Sequence, residues 1–269
     1  MSVFNLLERG AERCEGRPFA ILDDVAIGYD RALDLARGIA AALMDRGFGP
    51  GDHAAVLSPN DPVAFIASFG VIGAGMAYVP ANPHNAASAI ISAMRLIDVR
   101  VIFYHSALAL LVGEIRGQLP DVALFVALDA GLDGDPTVEQ LVHERGTAWE
   151  PRTVSLADTA FVGQTGGTTG EPKGVLISHR AVFAFVEKYL AEIPDPAPVL
   201  LAATPLTHAA GMLAMPIVAQ GGTIVVMRRP DLPQFVALIG RHKVTTTFLP
   251  PTAIYRLLDL PATATGDFS

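Results

Sequence analysis

The sequence has one cysteine, Cys14, so no internal disulfide can form, which agrees with a reducing compartment. Its histidines, scattered from His53 to His242, make no His-x-x-x-His pair, and there is no Cys-x-x-Cys pair, so a zinc site is not expected. Nothing resembles paired acid/base carboxylates or a Ser-His-Asp arrangement, and covalent enzyme chemistry is not expected. Charge is sparse, at 17% of residues, and the balance is −8, which does not support a surface that tracks nucleic-acid phosphates. Small molecules are the expected partners. The N-terminus places Glu8 and Arg9 where the apolar stretch of a signal peptide would lie, and a cytoplasmic protein follows.

Apolar residues are abundant: 51% of the chain is hydrophobic and the mean hydropathy is +0.41, too apolar for a disordered chain. The longest apolar run, Val63 to Pro80, is broken by Gly70, Gly73 and Gly75. A membrane-spanning helix needs about 20 uninterrupted apolar residues, so the run predicts a buried helix followed by a buried strand. At 269 residues the chain could hold one large domain or two ordinary ones.

Leu35, Ile39 and Leu43, with Ala32, Ala36 and Ala40 beside them, recur at helical spacing, and Gly47 can end that helix. A strand is predicted over 53–58, after which Asn60, Asp61 and Pro62 form a cap and first-turn signal. Short apolar runs ending at Pro80, Tyr104 and Leu128 alternate with helix-like stretches over 86–96 and 107–119. The stretch 129–151 is rich in turn formers and reads as a loop or local boundary. Strands reappear in TAFVGQ, PVLLAA, GTIVVM and TTTFL, and TAIYRLLDL is again helix-like. Alternation of this kind predicts an α/β fold with layered, parallel sheets covered by helices on both faces. Two subdomains are expected, 1–150 and 151–269, the second incomplete at its C-terminal end.

The most specific segment is FVGQTGGTTGEPKGVLISHR, Phe161 to Arg180. Gly163, Gly166, Gly167, Gly170 and Gly174 let the backbone approach a ligand closely. Thr165, Thr168 and Thr169 add hydroxyls and Lys173 an ammonium, and many donors at once are what a polyphosphate requires. The Walker pattern is not met, because Lys173 stands between Pro172 and Gly174, and the dinucleotide fingerprint is not met either. The flanks are β-like on both sides, giving a strand-loop-strand unit. On the residues alone, a phosphate cradle and a plain hairpin loop both remain open.

TGGTTGEPKG, Thr165 to Gly174, resembles the signature of the adenylate-forming enzymes: acyl-CoA synthetases, peptide-synthetase adenylation domains and luciferases. It meets every position of that signature, with Gly166 where Ser is commoner. Gly47 to Pro83 is similar to the family's early region, Ser178 to Val182 to the segment after the phosphate loop, and PLTHAAGM, Pro205 to Met212, to its next motif. The resemblance covers nearly the whole chain, in the family's order. It implies the N-terminal large domain of the acyl-CoA synthetase/luciferase-type fold, truncated before the adenine-binding stretch, the ribose-binding aspartate and the small C-terminal domain.

The resemblance further implies an AMP-forming acid–CoA ligase, in the setting of fatty-acid metabolism. Thr165, Gly166, Gly167, Thr168, Thr169, Gly170 and Lys173 would bind the β- and γ-phosphates of ATP, with Thr165 near Mg2+. His208, which could simply cap the helix near Gly211, matches a residue lining the passage to the acyl pocket and is the catalytic candidate. His179, at a strand-to-helix step, reads as a capping or packing residue, and Asp158 and Glu171 as solvated turn carboxylates. Expected partners are a carboxylic acid, ATP and coenzyme A, with no nucleic acid and no membrane span; a homodimer stays open. Two rival readings remain: a non-catalytic nucleotide- or acyl-binding module, and an amino-acid adenylation domain that loads a carrier protein. Against the second, Ala209 to Met227 contains no acidic residue to recognise an α-amino group. The 269 residues alone are expected to have little or no ligase activity.

Overall fold

The computed structural model describes residues 1–132, 134–145, 149–165, 173–207 and 209–259, with Glu144, Arg145, Gln164 and Thr165 described by their backbone. In chain order the first elements are α1 (Asn5–Arg13), β1 (Pro18–Leu22), β2 (Val25–Gly28), α2 (Tyr29–Asp45), β3 (His53–Leu57), α3 (Pro62–Gly73) and β4 (Ala77–Ala81). Then come α4 (Ala87–Leu96), β5 (Val99–Tyr104), α5 (Ala109–Arg116), β6 (Leu124–Ala127), α6 (Val138–Arg145), β7 (Thr159–Thr165) and β8 (Lys173–Ser178). The remainder forms α7 (His179–Glu192), β9 (Val199–Ala202), α8 (Ala209–Ala219), β10 (Thr223–Val226), α9 (Leu232–His242), β11 (Thr246–Thr247) and α10 (Pro251–Leu258).

Contacts divide the chain into two compact units. One holds Met1–Asn5, Arg31–Pro59 and Val63–Phe185; the other holds Leu6–Asp30, Asn60–Pro62 and Val186–Ser269. Neither unit is contiguous, whereas the sequence suggested contiguous stretches meeting near residue 150. Contacts follow the sheets, and each sheet takes strands from wherever the chain supplies them.

The first unit is built on a sheet in the order β6-β5-β3-β4-β7-β8. All its pairings are parallel except β7 with β8, which is antiparallel. The central strand β3 is buried from Ala54 to Leu57, as a parallel strand covered on both faces should be. Helix α2 buries Ala32, Leu35, Ala36, Ile39, Ala40 and Leu43, the stripe read from the sequence. It ends as expected at Gly47, whose φ of 85° is left-handed and whose N–H bonds the Met44 carbonyl at 3.0 Å. Helix α3 packs closely enough on α2 that a Cβ on Gly70 would lie 2.6 Å from Ile39 Cγ2. The apolar run from Val63 to Pro80 is thus a buried helix and strand, and among the described residues no helix is long and apolar enough to cross a membrane.

The second unit is built on the sheet β11-β9-β10-β1-β2, parallel except for the antiparallel pair β1 and β2. Leu201, Val225 and Met227 pack together with Phe235 and Val236 of α9. That helix starts where Asp231 caps the Gln234 N–H at 2.8 Å and stops at Lys243, whose φ is 51°. The hairpin β1–β2, helix α1 and helix α6 were not read from the sequence. Helix α6 lies inside the stretch taken as a loop, where turn formers at its start masked a short apolar spacing of Val138, Leu141 and Val142. The predicted strand TTTFL is only Thr246–Thr247.

Candidate functional site

The glycine- and threonine-rich segment is carried by a hairpin. Its first arm, β7, buries Ala160, Phe161 and Val162, and the Phe161 ring meets Tyr78 edge-on at 5.4 Å. Its second arm, β8, is an edge strand exposed from Lys173 to Leu176. The register pairs Val162 with Leu176, Gly163 with Val175 and Gln164 with Gly174, and it ends on Thr165 opposite Lys173. The β flanks expected on both sides of the segment are therefore present, and their register places two candidate phosphate-binding residues directly across from each other. Gly166, Gly167, Thr168, Thr169 and Gly170 lie outside the described residues, as do Glu171 and His208.

Beyond the hairpin the chain turns straight into α7 at His179. The His179 N–H bonds the Asp158 carbonyl at 3.1 Å, and its Nδ1 accepts the Val3 N–H at 3.1 Å. The imidazole is 2% exposed, and burial pushes its pKa down although the Asp158 carboxylate pulls the other way. This is the packing role read from the sequence. Asp158 itself is exposed and its carboxylate accepts the Ser155 N–H at 2.8 Å, the turn role expected of it.

The motif from Pro205 to Met212 lies where β9 hands over to α8. Gly211 is needed for a steric reason: a Cβ there would stand 1.9 Å from the Leu206 carbonyl oxygen. The same segment is held by Asn60, which is 8% exposed. Its Nδ2 donates to the carbonyls of Ala202 at 3.0 Å, Thr204 at 3.1 Å and Met227 at 3.1 Å, and its Oδ1 accepts the Leu206 N–H at 2.9 Å. These partners fix the amide's orientation, since carbonyls only accept and a backbone N–H only donates. The sequence marked Asn60 as part of a helix cap. Helix α3 does begin at Pro62, but the Asn60 side chain serves residues 142 to 167 positions away, for which no local signal exists.

A groove of about 430 Å3 in the first unit contains none of the candidate residues. Its wall is internally satisfied: Arg116 pairs with Asp135 and stacks 4.0 Å over the Phe125 ring, and Tyr104 donates to the same carboxylate at 2.7 Å. Among the described residues no group of three or more His, Cys, Asp or Glu side chains could hold a metal ion.

Residues 7–269 match the family model described as AMP-binding enzyme. The chain belongs to this family. A medium/long-chain-fatty-acid–CoA ligase of Mycobacterium tuberculosis from it is 30% identical, over 98% of this chain and 48% of its own length. A probable non-canonical nonribosomal peptide synthetase of Salinispora arenicola is 29% identical over 97% of this chain, which covers 3% of that protein. Among solved structures, an anthranilate CoA ligase in complex with anthranoyl-AMP superposes with a TM-score of 0.90 at 20% identity, covering 100% of this chain and 53% of that one. The likeness supports the expected fold, the N-terminal α/β domain of acyl-CoA ligases and luciferases. The chain spans about half the length of the mycobacterial family member.

Proposed function

We propose that this chain is the ATP-binding part of an AMP-forming carboxylic acid–CoA ligase. The observation that supports this most is the β7–β8 hairpin, whose register sets Thr165 against Lys173 at the ends of a TGGTTGEPKG segment, in a chain of the AMP-binding family. On this reading Gly166, Gly167, Thr168, Thr169 and Gly170 wrap the β- and γ-phosphates with backbone N–H groups and hydroxyls, and Lys173 offsets their charge. Mg2+ is commonly held by substrate phosphates with one or two protein oxygens rather than by a protein cage. On this reading the ion would be held by the phosphates of ATP, with Thr165, a hydroxyl residue at the end of β7, beside them.

A carboxylate acylates poorly because its leaving group would be oxide. Attack of one carboxylate oxygen on the α-phosphorus of ATP releases pyrophosphate and leaves an acyl-adenylate, whose AMP a thiol then displaces. The protein's part is positioning and charge stabilisation. Coenzyme A is the proposed thiol, in a cytoplasmic setting, and the acid is aliphatic or aryl, since Ala209 to Met227 offers no carboxylate to an α-amino group. His208 is the proposed residue between the adenylate and the acyl group.

The test is ATP binding followed by NMR or calorimetry. Lys173→Ala and Thr165→Ala are each expected to weaken ATP on the order of tenfold, the effect of losing one charge-assisted hydrogen bond. Unchanged affinity in both variants would remove the phosphate-cradle reading. Binding by the 269 residues is expected to be weak, because a loop that holds only the triphosphate has few contacts to offset association costs.

A further inference from the structure

Residues 2–4 precede α1 and belong to no strand, yet Val3 and Phe4 are fully buried in the first unit. The Phe4 ring lies 4.6 Å from that of Trp149, and a Cβ on Gly73 would stand 2.8 Å from Phe4 Cδ2, so the ring fills a shaped slot. The segment's own hydrogen bonds are local: the Ser2 N–H donates to Asn5 Oδ1 at 2.7 Å, and Ser2 Oγ accepts the Phe4 N–H at 3.3 Å. The bond from the Val3 N–H to His179 Nδ1 is of another kind. It spans 176 positions and ends where β8 passes into α7.

Histidine is the side chain that turns from acceptor to donor near neutral pH. Protonated at Nδ1, the ring would set its own N–H against the Val3 N–H, at a site where burial already disfavours the charged form. The Asp158 carboxylate, in the turn before β7, favours the charged ring and the Met1 α-ammonium opposes it, while Arg180, next along α7, is exposed. The charged ring is relieved when Val3 withdraws. A segment outside helix and sheet can withdraw without breaking either.

We propose that residues 2–4 are a strap on the first unit that acid opens locally, with the His179 imidazole as its clasp. The strap fastens the start of α7, directly after the strand that begins at Lys173.

The experiment is native-state amide exchange on the 269-residue chain, read by NMR from pH 7.5 to 5 as protection factors, which remove the intrinsic pH dependence of exchange. Protection of the Val3 and Phe4 N–H groups is expected to fall together, by up to about tenfold per pH unit below about 6.5, while Ala54, Ala55 and Val56 of β3 stay protected. In His179→Asn, whose Oδ1 accepts without titrating, the fall is expected to vanish. Constant protection at Val3 overturns the proposal. A fall at Val3 without Phe4 shows one frayed bond and not a strap, and a fall shared by β3 shows unfolding of the unit; either result overturns it. The same fall in His179→Asn places the sensor elsewhere and overturns it as well. Should that variant not fold, the titration of the His179 ring in the wild type decides: the loss of protection must follow it, and a loss that does not follow it refutes the clasp.

Discussion

At the scale of single residues, His179 couples this fold to pH. Its Nδ1 must stay unprotonated to accept the Val3 N–H, and burial holds its pKa below the usual 6.5. His242 is shifted the same way, first by burial and then by the Arg241 guanidinium. For a base with a depressed folded-state pKa, the unfolded chain binds the proton first as pH falls. The stability these two histidines contribute is therefore complete above about pH 6.5 and is lost progressively as pH falls from there through their lower folded-state pKa values. His179→Asn, whose Oδ1 can still accept the Val3 N–H, is expected to lose less of its thermal midpoint between pH 7.5 and 5.5 than the wild type. An equal loss in both chains would place the acid sensitivity elsewhere. None of this was legible in the sequence, where His179 could be assigned to packing but not to a particular N–H at the opposite end of the chain.

At the scale of elements, Gly211 is a motif glycine that packing requires. In an ordinary helix Gly→Ala gains about 1 kcal/mol in propensity. Here the new Cβ would overlap the Leu206 carbonyl oxygen, a backbone atom that cannot rotate away. Gly211→Ala is therefore expected to destabilise by about 1–3 kcal/mol, the usual cost of overpacking, as read from urea unfolding. An unchanged urea midpoint would show that the β9–α8 connection is free to shift. Helix α10 stands at the other extreme: it has the apolar spacing that marked it as a helix, yet none of its residues is buried and Tyr255 and Leu258 are exposed. Spacing identifies a helix, and only neighbours decide whether its face is covered. The same distinction explains the sequence reading of β8, correct in its β character and silent on its place at the sheet edge.

At the scale of the whole molecule, each sheet is assembled from distant parts of the chain. β1, near the N-terminus, lies between β2 and β10, with Ala20 opposite Ile224. Phe19 is fully buried against Tyr29 at 5.5 Å, and the Tyr29 hydroxyl donates to the Gly222 carbonyl at 2.6 Å. Phe19→Ala is expected to cost about 3–5 kcal/mol, the range for emptying a buried aromatic site. If the contact division is also a division in stability, hydrogen exchange should accelerate at Leu200, Leu201, Ile224 and Val225 while β3 and β5 keep their protection. Equal acceleration in both sheets would show a single cooperative unit.

Composition and local pattern determined the α/β class, the helical stripe of α2, the buried helix and strand between Val63 and Pro80, and the two β arms around the TGGTTGEPKG segment. These were legible because burial of a helix face or a strand leaves a period in nearby residues. The tertiary structure alone decided that β1 joins β10, that the compact units interleave along the chain, and that Asn60 serves the 202–206 segment rather than a helix cap. Those outcomes depend on hydrogen bonds and packing between residues far apart in sequence, and a partner more than a hundred positions away leaves no mark on the spacing of its neighbours.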